Sequence, residues 1–158
     1  RQVLDGTLDP QQAAASLRQR GFDGRLLLIT LLLTVFVADT FAYIGGRLVG
    51  RHKLAPAISP GKTWEGLVFG VAGGILTTWL ALNDEPIGIV GWESFVLGGV
   101  IVLAAVSGDL FESMVKRDLG VKDSGRVLMG HGGVLDRVDS IVFAAPAAYF
   151  CVLALTQT

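Results

Sequence analysis

The sequence predicts an all-α fold: a polytopic transmembrane helical protein with about four membrane helices and a short juxtamembrane helix. Three observations carry this. Hydrophobic residues fill 51% of the 158 positions and charged residues only 17%, where a soluble domain has about 25% charged. The mean hydropathy is +0.57. Four apolar segments are each near the length of a bilayer crossing, and the charge of the loops between them alternates in sign.

The elements follow in order. Residues 1–25 are polar and mixed, with a possible short surface helix over Ala13–Arg20. The chain opens on Arg1 without a signal-peptide pattern, so it is expected to be the C-terminal part of a longer protein. Residues 26–158 are expected to form one membrane-embedded domain. Within it, Leu26–Ile44 is the first span and contains one charge, Asp39; Gly66–Leu82 contains none. Ser94–Gly108 runs directly into Asp109, and Val138–Thr156 carries Pro146 as a possible kink.

Loop charge orients the spans. Gly45–Glu65 carries Arg47, Arg51, Lys53 and Lys62, and Glu112–Arg137 carries Lys116, Arg117, Lys122, Arg126 and Arg137. Asn83–Glu93 carries Asp84, Glu85 and Glu93 without a Lys or Arg. The positive-inside bias puts both basic loops in the cytoplasm. Arg1, Arg18, Arg20 and Arg25 run against this scheme, and upstream helices would then set the orientation.

Composition excludes several classes. The hydrophobic content excludes disorder, and a net charge of −1 offers no basic field for nucleic acid. The single cysteine, Cys151, excludes an intrachain disulfide and a cysteine-built metal site, and reads as inert packing. Gly70, Gly73 and Gly74 would let the second span pack closely, either inside the monomer or across a homodimer.

The chemistry gathers in the two basic loops. Six carboxylates, five cations and His131 lie between 109 and 139. Asp109, Glu112 and Lys116 share a helical face, and Asp136 and Asp139 can share another at the start of the last helix. Facing carboxylates are hard oxygen ligands of the kind that hold Mg2+ together with substrate phosphates. Lys and Arg then suit phosphate, and His131-Gly132-Gly133 is a turn able to bring backbone N–H groups to an anion. An unpaired charge inside a span costs roughly 2.5–3.5 kcal/mol, which makes Asp39 and Asp109 functional candidates or members of helix–helix ion pairs. In the first loop, Pro56 and Pro60 exclude a continuous helix. Gly61-Lys62-Thr63 resembles the end of a P-loop, but Pro56 stands where its first glycine belongs. Ser59 and Lys62 are candidate phosphate contacts; the plainer reading makes Thr63 the N-cap of a helix from Trp64.

The same residues carry a resemblance. Ser113-Met-Val-Lys116-Arg117, then Lys122-Asp123, then His131-Gly-Gly-Val-Leu-Asp136-Arg137-Val-Asp139 resembles the signature of the phosphatidate cytidylyltransferase (CDP-diacylglycerol synthase) family. Ala38-Asp39-Thr40, Gly46-Arg47, the run from Lys53 to Gly66 and Ser107-Gly-Asp109-Leu-Phe-Glu112-Ser113 resemble it too. Met129 replaces the family's usual proline and Phe41 its usual small residue. The resemblance implies transfer of cytidylyl from CTP to phosphatidate, releasing pyrophosphate, in a bacterial inner membrane with the site facing the cytoplasm. It implies Asp109 and Asp136 as Mg2+ ligands, with Asp123 and Asp139 in reserve and a second metal ion possible. It assigns Lys116, Arg117, Lys122 and Arg137 to phosphates, and His131 to phosphate donation or proton carriage. It places Ser59 and Lys62 on the lipid phosphate or CTP, with Asp39 and Glu65 as orienters. Rival readings are a CTP-dependent polyprenol or phytol kinase, an archaeal-lipid cytidylyltransferase, an ion transporter lined by Asp39 and Asp109, or a scaffold for anionic lipid.

Overall fold

The structure, a computed structural model, describes residues 24–83, 89, 91–119 and 135–156, and for 135–139 it describes the helical backbone alone. The order is α1 (Gly24–Val49), β1 (Lys53–Ala55), β2 (Ser59–Thr63), α2 (Trp64–Leu82), α3 (Trp92–Asp118) and α4 (Leu135–Thr156). Successive helices pack on one another: α1 on α2, α2 on α3, and α3 on α4. Among the described residues, α1, α2 and α3 are long and apolar enough to cross a membrane, and Ser140–Thr156 of α4 is a shorter apolar helix. At about 1.5 Å per residue, even 19-residue α2 nearly matches the roughly 30 Å hydrocarbon core. The chain is an integral membrane protein.

The outer surface confirms the solvent. Phe36, Leu48, Val68, Leu80, Leu103 and Phe150 are exposed, as lipid-facing side chains should be. The interior core is narrow: Leu31 and Val35 of α1, Leu82, then Leu97, Ile101 and Ala105 of α3, with Ala144 and Val152 of α4. The Phe111 and Phe143 rings, 5.5 Å apart, join α3 to α4.

Lipid tails are as apolar as the core, so close packing and buried hydrogen bonds must hold the helices together. Gly70, Gly73 and Gly74 supply the first inside the monomer. A Cβ at Gly70 would sit 3.0 Å from the Ala38 carbonyl, one at Gly73 would strike the Phe41 ring, and one at Gly74 would strike Val102 of α3. The bulky Phe41 is thus seated on a glycine. Thr34 and Thr78 supply the second, with their hydroxyls 3.0 Å apart and fully buried between α1 and α2. Thr78→Val should lower stability by about 0.6 kcal/mol, and by no more than about 1.7. Reversible unfolding in mixed micelles checks it; an unchanged midpoint would remove this bond from the account.

Two parts differ from the sequence reading. The first basic loop is a two-stranded antiparallel hairpin pairing Lys53 with Thr63 and Ala55 with Ser59 across a register shift. Its turn is closed by Ile58 N–H donating to the Ala55 carbonyl at 3.2 Å. This puts Pro56 at the turn position for which its fixed φ is suited. Pro60 lies in β2, where a two-stranded ribbon leaves an edge that needs no N–H. The second difference is that α3 continues to Asp118, so the second basic loop starts later than Glu112, and Asp109, Glu112 and Lys116 stand on one helix as their spacing predicts, with Arg117 beside them. No glycine or proline interrupts 109–118, and the Glu112–Lys116 pair at 3.1 Å supports the extra turns. The N-cap expectation holds: the Thr63 hydroxyl accepts the Gly66 N–H at 3.1 Å.

Candidate active site

A cavity of about 560 Å³ opens where the hairpin meets the ends of α1 and α2 and the middle of α3. α1 contributes Asp39, Tyr43 and Arg47, spaced four residues apart and so stacked on one helical face. The hairpin contributes Ser59, Gly61, Lys62 and Thr63, and α3 contributes Val106 and Asp109. The floor is thin because α1 and α2 nearly touch: a Cβ at Gly66 would lie 2.7 Å from the Ala42 carbonyl and 3.2 Å from Gly46 Cα.

Four of the sequence-predicted residues, Asp39, Ser59, Lys62 and Asp109, therefore meet in one cavity from three separate parts of the chain. Lys62 Nζ is ion-paired with Asp109 Oδ2, which ties β2 to α3. The Ser113 hydroxyl donates to Asp109 Oδ1 at 3.4 Å. The charged lining among the described residues is balanced, with Asp39 and Asp109 against Arg47 and Lys62.

Other predicted residues go elsewhere. Lys116 lies against Glu112, the two side chains only 18% and 12% exposed. Arg117 Nε donates to the Ile58 carbonyl at 3.3 Å, linking the end of α3 to the hairpin turn. Glu65 grips His52: its carboxylate accepts the His52 backbone N–H at 3.2 Å and lies 2.6 Å from His52 Nδ1. The Trp64 N–H donates to the His52 carbonyl at 3.0 Å, so this cluster anchors the base of the hairpin to α2. None of Lys116, Arg117 or Glu65 lines the cavity. Lys122, Asp123 and His131 lie outside the described residues, and Asp136, Arg137 and Asp139 stand at the start of α4, where only the backbone is described.

Sequence reasoning did not single out Tyr43, Arg47 or His52 as site groups. The four-residue spacing of Asp39, Tyr43 and Arg47 was a usable signal for the first two. Nothing in the sequence marks His52 as Glu65's partner.

Among the described residues no group of three or more His, Cys, Asp or Glu side chains could hold a metal. Two carboxylates do line the cavity. Magnesium commonly takes one or two carboxylates and completes its shell with water and substrate phosphate, so Asp109 fits it as one ligand, while Asp136, the other expected ligand, stands at the start of α4 where only the backbone is described.

Comparisons with known proteins show the family. The model of the cytidylyltransferase family matches residues 10–155. A phosphatidate cytidylyltransferase of Haemophilus influenzae is 42% identical over 139 residues, covering 84% of this chain and 48% of that protein. One of Mycobacterium leprae is 45% identical over 131 residues, covering 80% and 40%. One of Staphylococcus saprophyticus is 43% identical over 124 residues, covering 78% and 48%. The chain thus spans about half the length, or less, of these curated relatives. A solved intramembrane enzyme for archaeal membrane lipids biosynthesis shares the fold, with a TM-score of 0.57 and 24% identity over 82% of this chain and 88% of that one.

Proposed function

Given that the chain belongs to the cytidylyltransferase family, we propose that it forms the site that transfers cytidylyl from CTP to phosphatidate, releasing pyrophosphate and making CDP-diacylglycerol. The observation that carries this reading is the convergence of Asp39, Ser59, Lys62 and Asp109 on one cavity at the end of membrane helices. The relatives named phosphatidate cytidylyltransferase support it. An oxygen of the phosphatidate phosphate attacks the α-phosphorus of CTP. That O–P bond forms as the bond from the α-phosphorus to the bridging oxygen breaks, and pyrophosphate carries the electron pair away. The nucleophile is already an anion at neutral pH, so positioning and charge stabilisation matter more than a general base.

The chain's own groups serve those needs. Asp109 and Asp136 would hold magnesium, with Asp123 or Asp139 available to a second ion. Bound there, magnesium supplies charge neutralisation for the triphosphate and the departing pyrophosphate. Lys62 and Ser59 contact phosphate from the hairpin, and Asp39 orients from α1. Arg137, Lys122 and His131 add donors. Lys116, Arg117 and Glu65 act by holding α3 and the hairpin in place, since their observed partners are protein groups. The balanced cavity lining supports a metal requirement: CTP and phosphatidate together bring several negative charges that Arg47 and Lys62 alone do not offset.

The reading extends to setting. Residues 26–158 form the membrane-embedded catalytic domain in a bacterial inner membrane. The basic hairpin region faces the cytoplasm by the positive-inside bias, which also puts the cavity within reach of soluble CTP.

Pyrophosphate release from CTP in detergent micelles tests this, with and without phosphatidate and magnesium. Release should require both, and chelation by EDTA should abolish it. Release of CDP would instead indicate a lipid kinase. Phosphatidate binding without CTP consumption would overturn the reading.

A further inference from the structure

Arg47 differs from the other cation of the cavity. Lys62 is neutralised by Asp109, whereas the described partner of Arg47 is neutral: its Nη1 donates to the Tyr43 hydroxyl at 2.9 Å. A guanidinium has five N–H donors in a rigid fork, and this bond uses one of them. Among the described residues the cavity therefore keeps a steadied cation that is not paired directly with a carboxylate. Such a group is suited to a phosphate, which it can grip with two parallel N–H donors.

Its place on α1 selects which phosphate. Ile44 and Leu48, three residues before and one after, are exposed apolar side chains, and Tyr43 is exposed one turn earlier. Aromatic hydroxyls and long cationic side chains collect at the membrane–water boundary with their polar ends toward water. Arg47 thus stands where the cavity borders the lipid-facing surface of α1, while Lys62 and Asp109 join the hairpin to α3.

We propose that Arg47, held by Tyr43, recognises the phosphomonoester head group of the lipid substrate, and that CTP is gripped by other groups of the cavity. This rests on the function proposed above. Two roles follow. The Arg47 fork captures the lipid phosphate, and its preference for a doubly charged monoester over a diester keeps bulk anionic lipid out of the site.

The test measures binding of dioctanoyl phosphatidate, dioctanoyl phosphatidylglycerol and CTP to the full chain in neutral detergent, with magnesium present. Arg47→Ala should weaken phosphatidate binding by about tenfold or more, and change CTP binding by less than about threefold. Arg47→Lys should lie between, because a point charge replaces a fork. Tyr43→Phe should weaken phosphatidate alone, by roughly threefold, as expected for one modest hydrogen bond. Retained CTP affinity shows that each variant is folded. An Arg47→Ala loss that falls equally on CTP, or equally on phosphatidylglycerol, overturns the proposal, as does no loss at all. A wild-type chain that binds neither phosphatidate nor CTP would sink the cytidylyltransferase reading itself, a result distinct from an indifferent Arg47→Ala.

Discussion

Asp109→Asn should reduce pyrophosphate release by at least about 100-fold while leaving the protein folded and inserted, the scale seen when one fixed electrostatic group is taken from a reacting site. Asparagine keeps the shape and one acceptor oxygen, so the Ser113 contact at 3.4 Å can survive. The charge is what disappears. Lys62 then loses its counterion, and one of the two carboxylates lining the cavity can no longer attract magnesium. Because Lys62 and Asp109 form a pair, their effects should not add: Lys62→Ala in the Asp109→Asn background should cost much less than Lys62→Ala alone. Activity above about a tenth of wild type in Asp109→Asn would remove Asp109 from the site.

Gly66→Val has the second largest expected effect, and it acts through packing. The new Cβ would lie 2.7 Å from the Ala42 carbonyl, 3.0 Å from the Thr63 hydroxyl and 3.2 Å from Gly46 Cα. Two of those neighbours are backbone and cannot swing aside. The third is the cap that accepts the Gly66 N–H. Overpacking of this kind costs about 1–3 kcal/mol, and a lost cap adds about 1 kcal/mol. The variant should unfold at a clearly lower temperature in detergent and lose CTP binding with the cavity floor. Gly61→Ala is the control, since a Cβ at Gly61 meets nothing within 4 Å although it lines the same cavity. Equal melting of Gly66→Val and wild type would mean that α1 and α2 do not approach as closely as described.

Arg47→Ala, by contrast, leaves packing alone and should sort ligands by class. The three variants thus separate charge, contact distance and specificity within one cavity.

Much of this architecture is legible in the amino-acid sequence. Long apolar stretches with few charges can satisfy their backbone in lipid only as helices, so the segments around Leu31, Gly73, Ile101 and Ala144 had little choice. Pro56 and Pro60 forbid a helix between them, and Thr63 before an apolar run marks a helix start; both are local properties of the chain. The chemical types in the site were legible for the same reason, because a carboxylate inside an apolar segment, as at Asp39 and Asp109, is too costly to be idle. What only the tertiary structure decided is the pairing of these groups. Lys62, Lys116 and Arg117 look alike as cations beside a membrane. Yet Lys62 meets Asp109 across the cavity, Lys116 folds onto Glu112, and Arg117 reaches a carbonyl 59 residues away. Arg47 became a cavity group because the last turns of α1 carry its face toward the hairpin. A sequence states which charges a chain holds and which local conformations its residues tolerate. Which charge finds which partner depends on how helices far apart in the chain come to lie, and here glycines at the helix contacts determine how near they approach.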